Sequence, residues 1–221
     1  MTIKFENGIE KHKTQYTNEG KWSNLAASAL LATNLSLPHS ADARQTTPTS
    51  TNIPTAVSKQ VKPNINTYKM LINMIVASTS NTSSVVTVPF VNKIMTMENQ
   101  SFNPKAKGDF LASYPRARGL MQIHYGAWKN VARKHPIFKK FNYFKNAYNP
   151  MINLNAGITY LCDLEKELIS YGVKKPTEEQ VYAAWNAGMR NLKAHKFDPD
   201  QLAKYNLVFK THLSKFRSFN V

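Results

Sequence analysis

A carboxylic acid is out of place on the apolar stripe of a helix, and Glu98 holds that position. With Val91, Ile94 and Met95 it falls at i+7, i, i+3 and i+4 of a run that opens near Pro89, a residue suited to a first helical turn. It also stands at the C-terminal end of that run, where the helix dipole places partial negative charge. Desolvation and negative potential both disfavour the anion and raise the pKa. A carboxyl raised in this way keeps its proton near neutral pH and can hand it to a leaving oxygen, as the cleavage of a glycosidic bond requires. The plainer alternative is a helix-end glutamate that turns to solvent or pairs with Lys93 or Lys105.

The residues after Glu98 favour the chemical reading. Ser101-Phe102-Asn103-Pro104-Lys105-Ala106 comes first, then Ala117-Arg118-Gly119-Leu120-Met121-Gln122-Ile123, then Asn155-Ala156-Gly157-Ile158-Thr159-Tyr160-Leu161, then Ala183-Ala184-Trp185-Asn186-Ala187-Gly188. Each motif alone is weak, but the ordered series resembles the soluble lytic transglycosylase family, whose pattern runs E-S-x-F-N-P, A-x-G-L-M-Q, N-x-x-x-G-x-x-Y-L and A-Y-N-A-G. The match spans roughly Pro89 to Leu192, a little under half of the chain.

The resemblance implies an all-α, goose-type lysozyme-like domain with one catalytic glutamate, here Glu98, at a helix end facing a glycan cleft. In that family the glutamate protonates the oxygen between N-acetylmuramic acid and N-acetylglucosamine. It then draws the muramic 6-hydroxyl onto the anomeric carbon, leaving a 1,6-anhydro end without using water. The substrate's own acetamido group is thought to replace a second carboxylate. The acid content agrees, since Glu98 and Asp109 are the only acids between Lys93 and Leu161. The resemblance also assigns Ser101, Gly119, Met121, Gln122, Trp185 and Asn186 to substrate binding. Gly119 would let backbone approach a sugar, Met121 would offer an apolar wall or serve as core, and Gln122 would offer an amide. Asn186 would meet substrate or cap its helix.

Three departures from the family pattern bear on this. Glu98 lies four steps before Phe102 where the family has three, so Asn99 occupies the strict register of the acid. Asn99 cannot do acid chemistry, so one inserted residue is assumed, and this leaves the role of Ser101 open. Trp185 replaces the tyrosine that contacts the glutamate; its indole N–H can donate but not accept. The loop from Lys107 to Arg116 is longer than usual.

The elements that must position these residues follow from apolar periodicity. Tyr68, Leu71, Ile72, Ile75 and Val76 share one helical face, before a Ser/Thr/Asn cluster. Leu154, Ile158, Leu161, Leu164 and Leu168 mark a long core helix closed by Gly172. Thr177 with Gln180 is a capping-box pattern that opens the helix bearing Trp185, which Gly188 can end. A last helix is predicted after Asp198-Pro199, with Leu202, Tyr205, Phe209 and Phe216 on one side. No run of alternating strands is evident.

Ahead of this folded part, which is expected over 65–221, residues 44–64 are a Thr/Ser/Pro-rich linker and residues 1–43 an N-terminal lead. Within the lead, Leu25 to Leu37 is a small-residue apolar run followed by Ala41-Asp42-Ala43, which resembles a secretory signal with its cleavage site. A buried or amphipathic helix is the alternative. The run is too short for a stable transmembrane anchor of about 20 residues. Export would place the mature chain outside the cytoplasm; delivery in a virion is the other route considered.

The 221-residue chain carries a formal net charge of +16, so an anionic partner is expected. Peptidoglycan strands and the anionic cell-wall surface meet that expectation, with exposed lysines such as Lys139 and Lys140, and Lys215 and Arg217, among the tethering candidates. Nucleic acid is not expected, because neither an aromatic-rich recognition motif nor a zinc spacing is present. The six histidines show no HExxH or comparable spacing, so no metal or other cofactor is expected. His124 fits a cleft rim or a structural position. Cys162, the only cysteine, cannot form an internal disulfide and fits a buried small hydrophobe. Two rival functions remain in view. One is a hydrolytic muramidase in which a second carboxylate such as Asp109 activates water. The other is a wall-binding or virion-associated protein that keeps the fold without the activity.

Overall fold

The computed structural model describes residues 65–79, 83–108 and 115–219. The signal-like run, Ala41-Asp42-Ala43, the linker and Asp109 lie outside the described residues. Nine α-helices and one 3-10 helix make up the regular structure among the described residues. In chain order the α-helices are α1 (Ile65–Thr79), α2 (Val88–Glu98), α3 (Tyr125–Lys134), α4 (Tyr143–Asn146), α5 (Pro150–Ser170), α6 (Glu178–Ala187), α7 (Met189–Ala194), α8 (Pro199–Tyr205) and α9 (Leu207–Ser218). The 3-10 helix, Pro136–Lys140, lies between α3 and α4. No strand forms among the described residues, where two isolated bridges, Lys107 to Arg118 and Arg118 to Ile123, tie the loops ahead of α3.

Helix α5 is the axis of the fold. Leu154, Ile158, Leu161, Leu164 and Leu168 are all buried, as the periodicity predicts, and Ala156, Gly157 and Cys162 are buried as well. A helix covered on so many sides must sit between others, and α1, α3 and α6 pack against it. Gly157 is where Met121 crosses it: a Cβ there would meet the Met121 side chain at 2.8 Å. Cys162 is buried, and burial pushes its thiol up to about 11, so it behaves as an inert hydrophobe.

Helix α6 begins with the predicted capping box, in which the Gln180 backbone N–H donates to Thr177 Oγ1 and the Thr177 N–H donates to Gln180 Oε1. Such a cap stabilises a helix start by about 1 kcal/mol. From there α6 enters the core through Val181, Tyr182, Ala183 and Ala184. The Tyr182 ring stacks on Phe216 of α9 at 4.4 Å, and Phe216 meets Phe90 of α2 edge-on at 6.1 Å. These three rings bind the C-terminal helix to the two helices that carry Glu98 and Trp185.

The single helix expected after Asp198-Pro199 is in fact two. Asn206 ends α8 and its side chain accepts from the Phe209 N–H, restarting the chain as α9. Tyr205 is accordingly 78% exposed instead of sharing the buried face of Leu202, Phe209 and Phe216.

Candidate active site

Helix α2 ends at Glu98 for a local reason. Thr87 Oγ1 accepts from the Phe90 N–H at the start, and Phe90, Val91, Ile94 and Met95 lock one face into the core. At the other end Asn99 leaves helical geometry and folds its side chain into the following loop. Asn99 Nδ2 donates to Asn103 O (2.8 Å) and Gly119 O (3.3 Å), while Oδ1 accepts from Ser101 Oγ (2.8 Å) and the Asn103 N–H (3.3 Å). Asn99 is 5% exposed. A buried amide with both ends occupied is a structural clip, so the extra residue in this motif is absorbed by the turn. Phe102, at φ 50°, presents its carbonyl to Tyr68 Oη (3.3 Å), which anchors the same turn to α1.

Glu98 is left facing α6. The Trp185 indole Nε1–H donates to Glu98 Oε1 at 3.1 Å. Burial of the carboxyl raises its pKa to about 7, against the opposing influences of the Trp185 hydrogen bond and the positive charge of Lys215. The expected partners Lys93 and Lys105 do not neutralise it: no ion pair of Glu98 forms among the described residues, and Lys93 Nζ sits over the Phe216 ring at 3.9 Å. The substitution of tryptophan for tyrosine thus provides one donor and no acceptor, which favours the anion without taking its proton.

Of the other expected site residues, Trp185 and Asn186 share the last turn of α6 and are half-buried, and the Asn186 side chain makes no hydrogen bond among the described residues. Ser101 is exposed, with its hydroxyl donated to Asn99. Of the remaining three, Met121 takes its core alternative and the other two must be corrected. Gly119, at φ 77°, faces the protein's own atoms: a Cβ there would lie 2.2 Å from Ala147 O and 2.4 Å from Asn153 Nδ2, so no sugar approaches by that side. Met121 is 0% exposed and is core. Gln122 is buried, and its Nε2 donates to Gly119 O (2.7 Å) and Ala106 O (3.4 Å), which commits that amide group to the loop. His124 is exposed at the start of α3 and makes no side-chain capping bond.

Two residues with clear roles escaped the sequence reading. Asn153 is fully buried in α5; its Oδ1 accepts from the Met121 N–H (2.8 Å), and its Nδ2 donates to Arg118 O (3.0 Å) and Ala147 O (2.9 Å). The signal was the N-x-x-x-G spacing to Gly157, which begins at Asn153 and not at Asn155. Tyr160 packs on the Trp185 ring at 5.6 Å, so it backs the indole that touches Glu98.

A family model described as the Transglycosylase SLT domain matches residues 76–208, more than half of the chain. The chain belongs to the transglycosylase SLT domain family. As a member it has the lysozyme-like α fold and acts on peptidoglycan. No curated protein matches the chain.

The indole contact makes a testable claim about this SLT domain. Trp185→Phe keeps the aromatic packing and removes the donor that favours the Glu98 anion. Its pKa should then rise further above 7, and the alkaline limb of the kcat/KM profile should move up by about one pH unit, the usual worth of one hydrogen bond to a charged group. A limb that stays in place would show that the indole does not tune Glu98.

Proposed function

We propose that this SLT domain cleaves the β-1,4 bond between N-acetylmuramic acid and N-acetylglucosamine and closes the muramic residue into a 1,6-anhydro ring. Glu98 is the acid and then the base. The observation that carries the proposal is a carboxyl at a helix end, desolvated to a pKa of about 7 and held by one indole donor.

In the first step protonated Glu98 gives its proton to the glycosidic oxygen. The bond from the anomeric carbon breaks, and the electron pair leaves with the N-acetylglucosamine oxygen. In the second step the Glu98 carboxylate takes the proton of the muramic 6-hydroxyl as that oxygen bonds to the anomeric carbon. The proton returns to where it started, and no water is consumed. A pKa near the working pH suits both steps, because neither the acid nor the base form is scarce. In this reading Ser101, Trp185 and Asn186 meet the sugars around this bond. Glycan strands outside the cytoplasm are the substrate, and the basic surface supports adhesion to the anionic wall.

That surface is smaller than the charge count implies. Arg217 is engaged by Glu179 (2.6 and 2.9 Å) and Asp200 (2.8 and 3.1 Å), and Lys215 acts on Glu98. Arg217 is therefore not a free tether, whereas Lys215 is exposed and makes no ion pair with a described residue.

Cleavage in oxygen-18 water tests the proposed chemistry. The new ends should carry no label; labelled reducing ends would mean that water is the nucleophile.

A further inference from the structure

Between α3, the 3-10 helix and α4 lies a groove of about 510 Å³ that the catalytic proposal does not use. Lys129, Arg133, Lys139 and Lys140 line it, and no acidic residue does. Lys129 and Arg133 lie one turn apart on α3, and Lys139 and Lys140 end the 3-10 helix. All four are exposed, and none makes an ion pair with a described residue. Four cations gathered without counterions make a local positive field that attracts a polyanion.

The rings among these cations narrow the choice of polyanion. Phe144 lines the groove and is 50% exposed, while Tyr125 and Phe141 line it half-buried. The exposed ring is held in place from within: buried Tyr143 meets Phe144 at 5.4 Å, Tyr125 at 5.3 Å and Trp128 at 5.6 Å. Arg118 adds a further hold, its guanidinium 5.0 Å from the Phe144 ring centroid and donating to the Phe144 carbonyl at 3.3 Å. Tyr125 and Phe144 lie 5.8 Å apart with their planes inclined by 34°, so the two form a fixed aromatic strip. Charge stands beside ring along the groove, with Lys129 Nζ 5.5 Å from the Tyr125 centroid and Lys140 Nζ 5.2 Å from that of Phe141.

A ligand matched to this surface carries closely spaced negative charges with flat π faces between them. The phosphates and unstacked bases of a single strand supply both. A duplex hides its base faces in the stack, and a polyol phosphate or other ringless polymer has none to offer. We infer that this groove binds single-stranded nucleic acid, with bases stacked on Phe144 and Tyr125 and phosphates held by Lys129, Arg133, Lys139 and Lys140. The activity is separate from glycan cleavage, in which none of these six residues takes part. The sequence points the other way because it offers no linear recognition motif, and the rings and cations meet only when three elements pack together.

Fluorescence anisotropy of the full chain with labelled oligothymidylate and oligouridylate, each of about ten nucleotides, tests this. Binding of either strand supports the site, and the tighter one names the sugar. The variant combining Lys129→Gln, Arg133→Gln, Lys139→Gln and Lys140→Gln should bind with a log–log salt slope smaller than that of the wild type by about 3, since each phosphate contact on a single strand contributes about 0.7. Phe144→Ala should weaken binding about tenfold at unchanged slope, within the usual worth of one stacked base. Phe144→Tyr keeps the ring and should bind as the wild type does, which separates a lost platform from a damaged fold. Glu98→Gln should bind as tightly as the wild type, whatever becomes of its lytic activity. An unchanged slope in the fourfold variant, full affinity in Phe144→Ala, or tighter binding of a duplex would overturn the assignment. So would equal competition by inorganic polyphosphate of matched charge, which would make the groove a site for ringless polyanions such as the phosphate polymers of a cell wall.

Discussion

Glu98→Gln is expected to lower lytic turnover on purified peptidoglycan by at least about a hundredfold, the usual worth of a general acid. The amide keeps the volume and can still accept from Trp185 Nε1, so the site geometry survives while the transferable proton is lost. Stability provides a control with a definite sign. The native carboxyl binds its proton more tightly than the unfolded chain does, with a pKa of about 7 against the ordinary 4.5 of a free glutamate. The native state therefore holds the extra proton across that window, and stability falls as pH rises from about 4.5 to 7. The glutamine variant lacks this loss. It should be more stable than wild type by about 2 kcal/mol at pH 8, a value discounted for the partial exposure of the residue, and indistinguishable from it below pH 4. Chemical denaturation at the two pH values checks this. An inactive variant that is also destabilised at pH 8 would mean that the substitution harmed the fold.

Gly119→Ala is expected to be the most damaging single change to stability. The residue stands at φ 77°, where a side chain is strained, and its Cβ would enter the space of Ala147 O and the Asn153 amide. Asn153 cannot withdraw without giving up its bonds to Met121, Arg118 and Ala147, all in a water-excluded site. Strain together with buried groups left unpaired should cost about 4 kcal/mol or more, a large share of the stability of an ordinary domain. Urea unfolding measures it. A loss below about 1 kcal/mol would show that the Gly119–Asn153 contact is loose, and the glycine would again be open to a sugar.

These two residues mark what the sequence makes legible and what it does not. Glu98 is visible because a charged residue interrupts an apolar stripe, and a one-dimensional pattern carries that anomaly. The capping box of α6 and the core face of α5 are local in the same sense. Gly119 is visible as a motif, but its purpose is not, since the atoms that fill the missing Cβ come from Ala147 and Asn153, far along the chain. The same holds for Gln122 and Met121, whose motif positions suggest a cleft while packing places them inside. Helix α3 buries only Trp128 and Val131, too few apolar positions to announce a helix by periodicity. The break between α8 and α9 rests on one asparagine that caps as readily as it fits a helix surface. The basic groove was hidden for a different reason, since net charge does not tell free lysines from the paired Arg217.

Whether Glu98 drives a transglycosylation is read from the products, by mass spectrometry of muropeptides released from purified sacculi. Wild-type protein should release fragments ending in 1,6-anhydro-N-acetylmuramic acid, and Glu98→Gln should release none above background. Reducing ends from the wild type, or anhydro ends made equally well by the variant, would contradict a transglycosylation driven by Glu98.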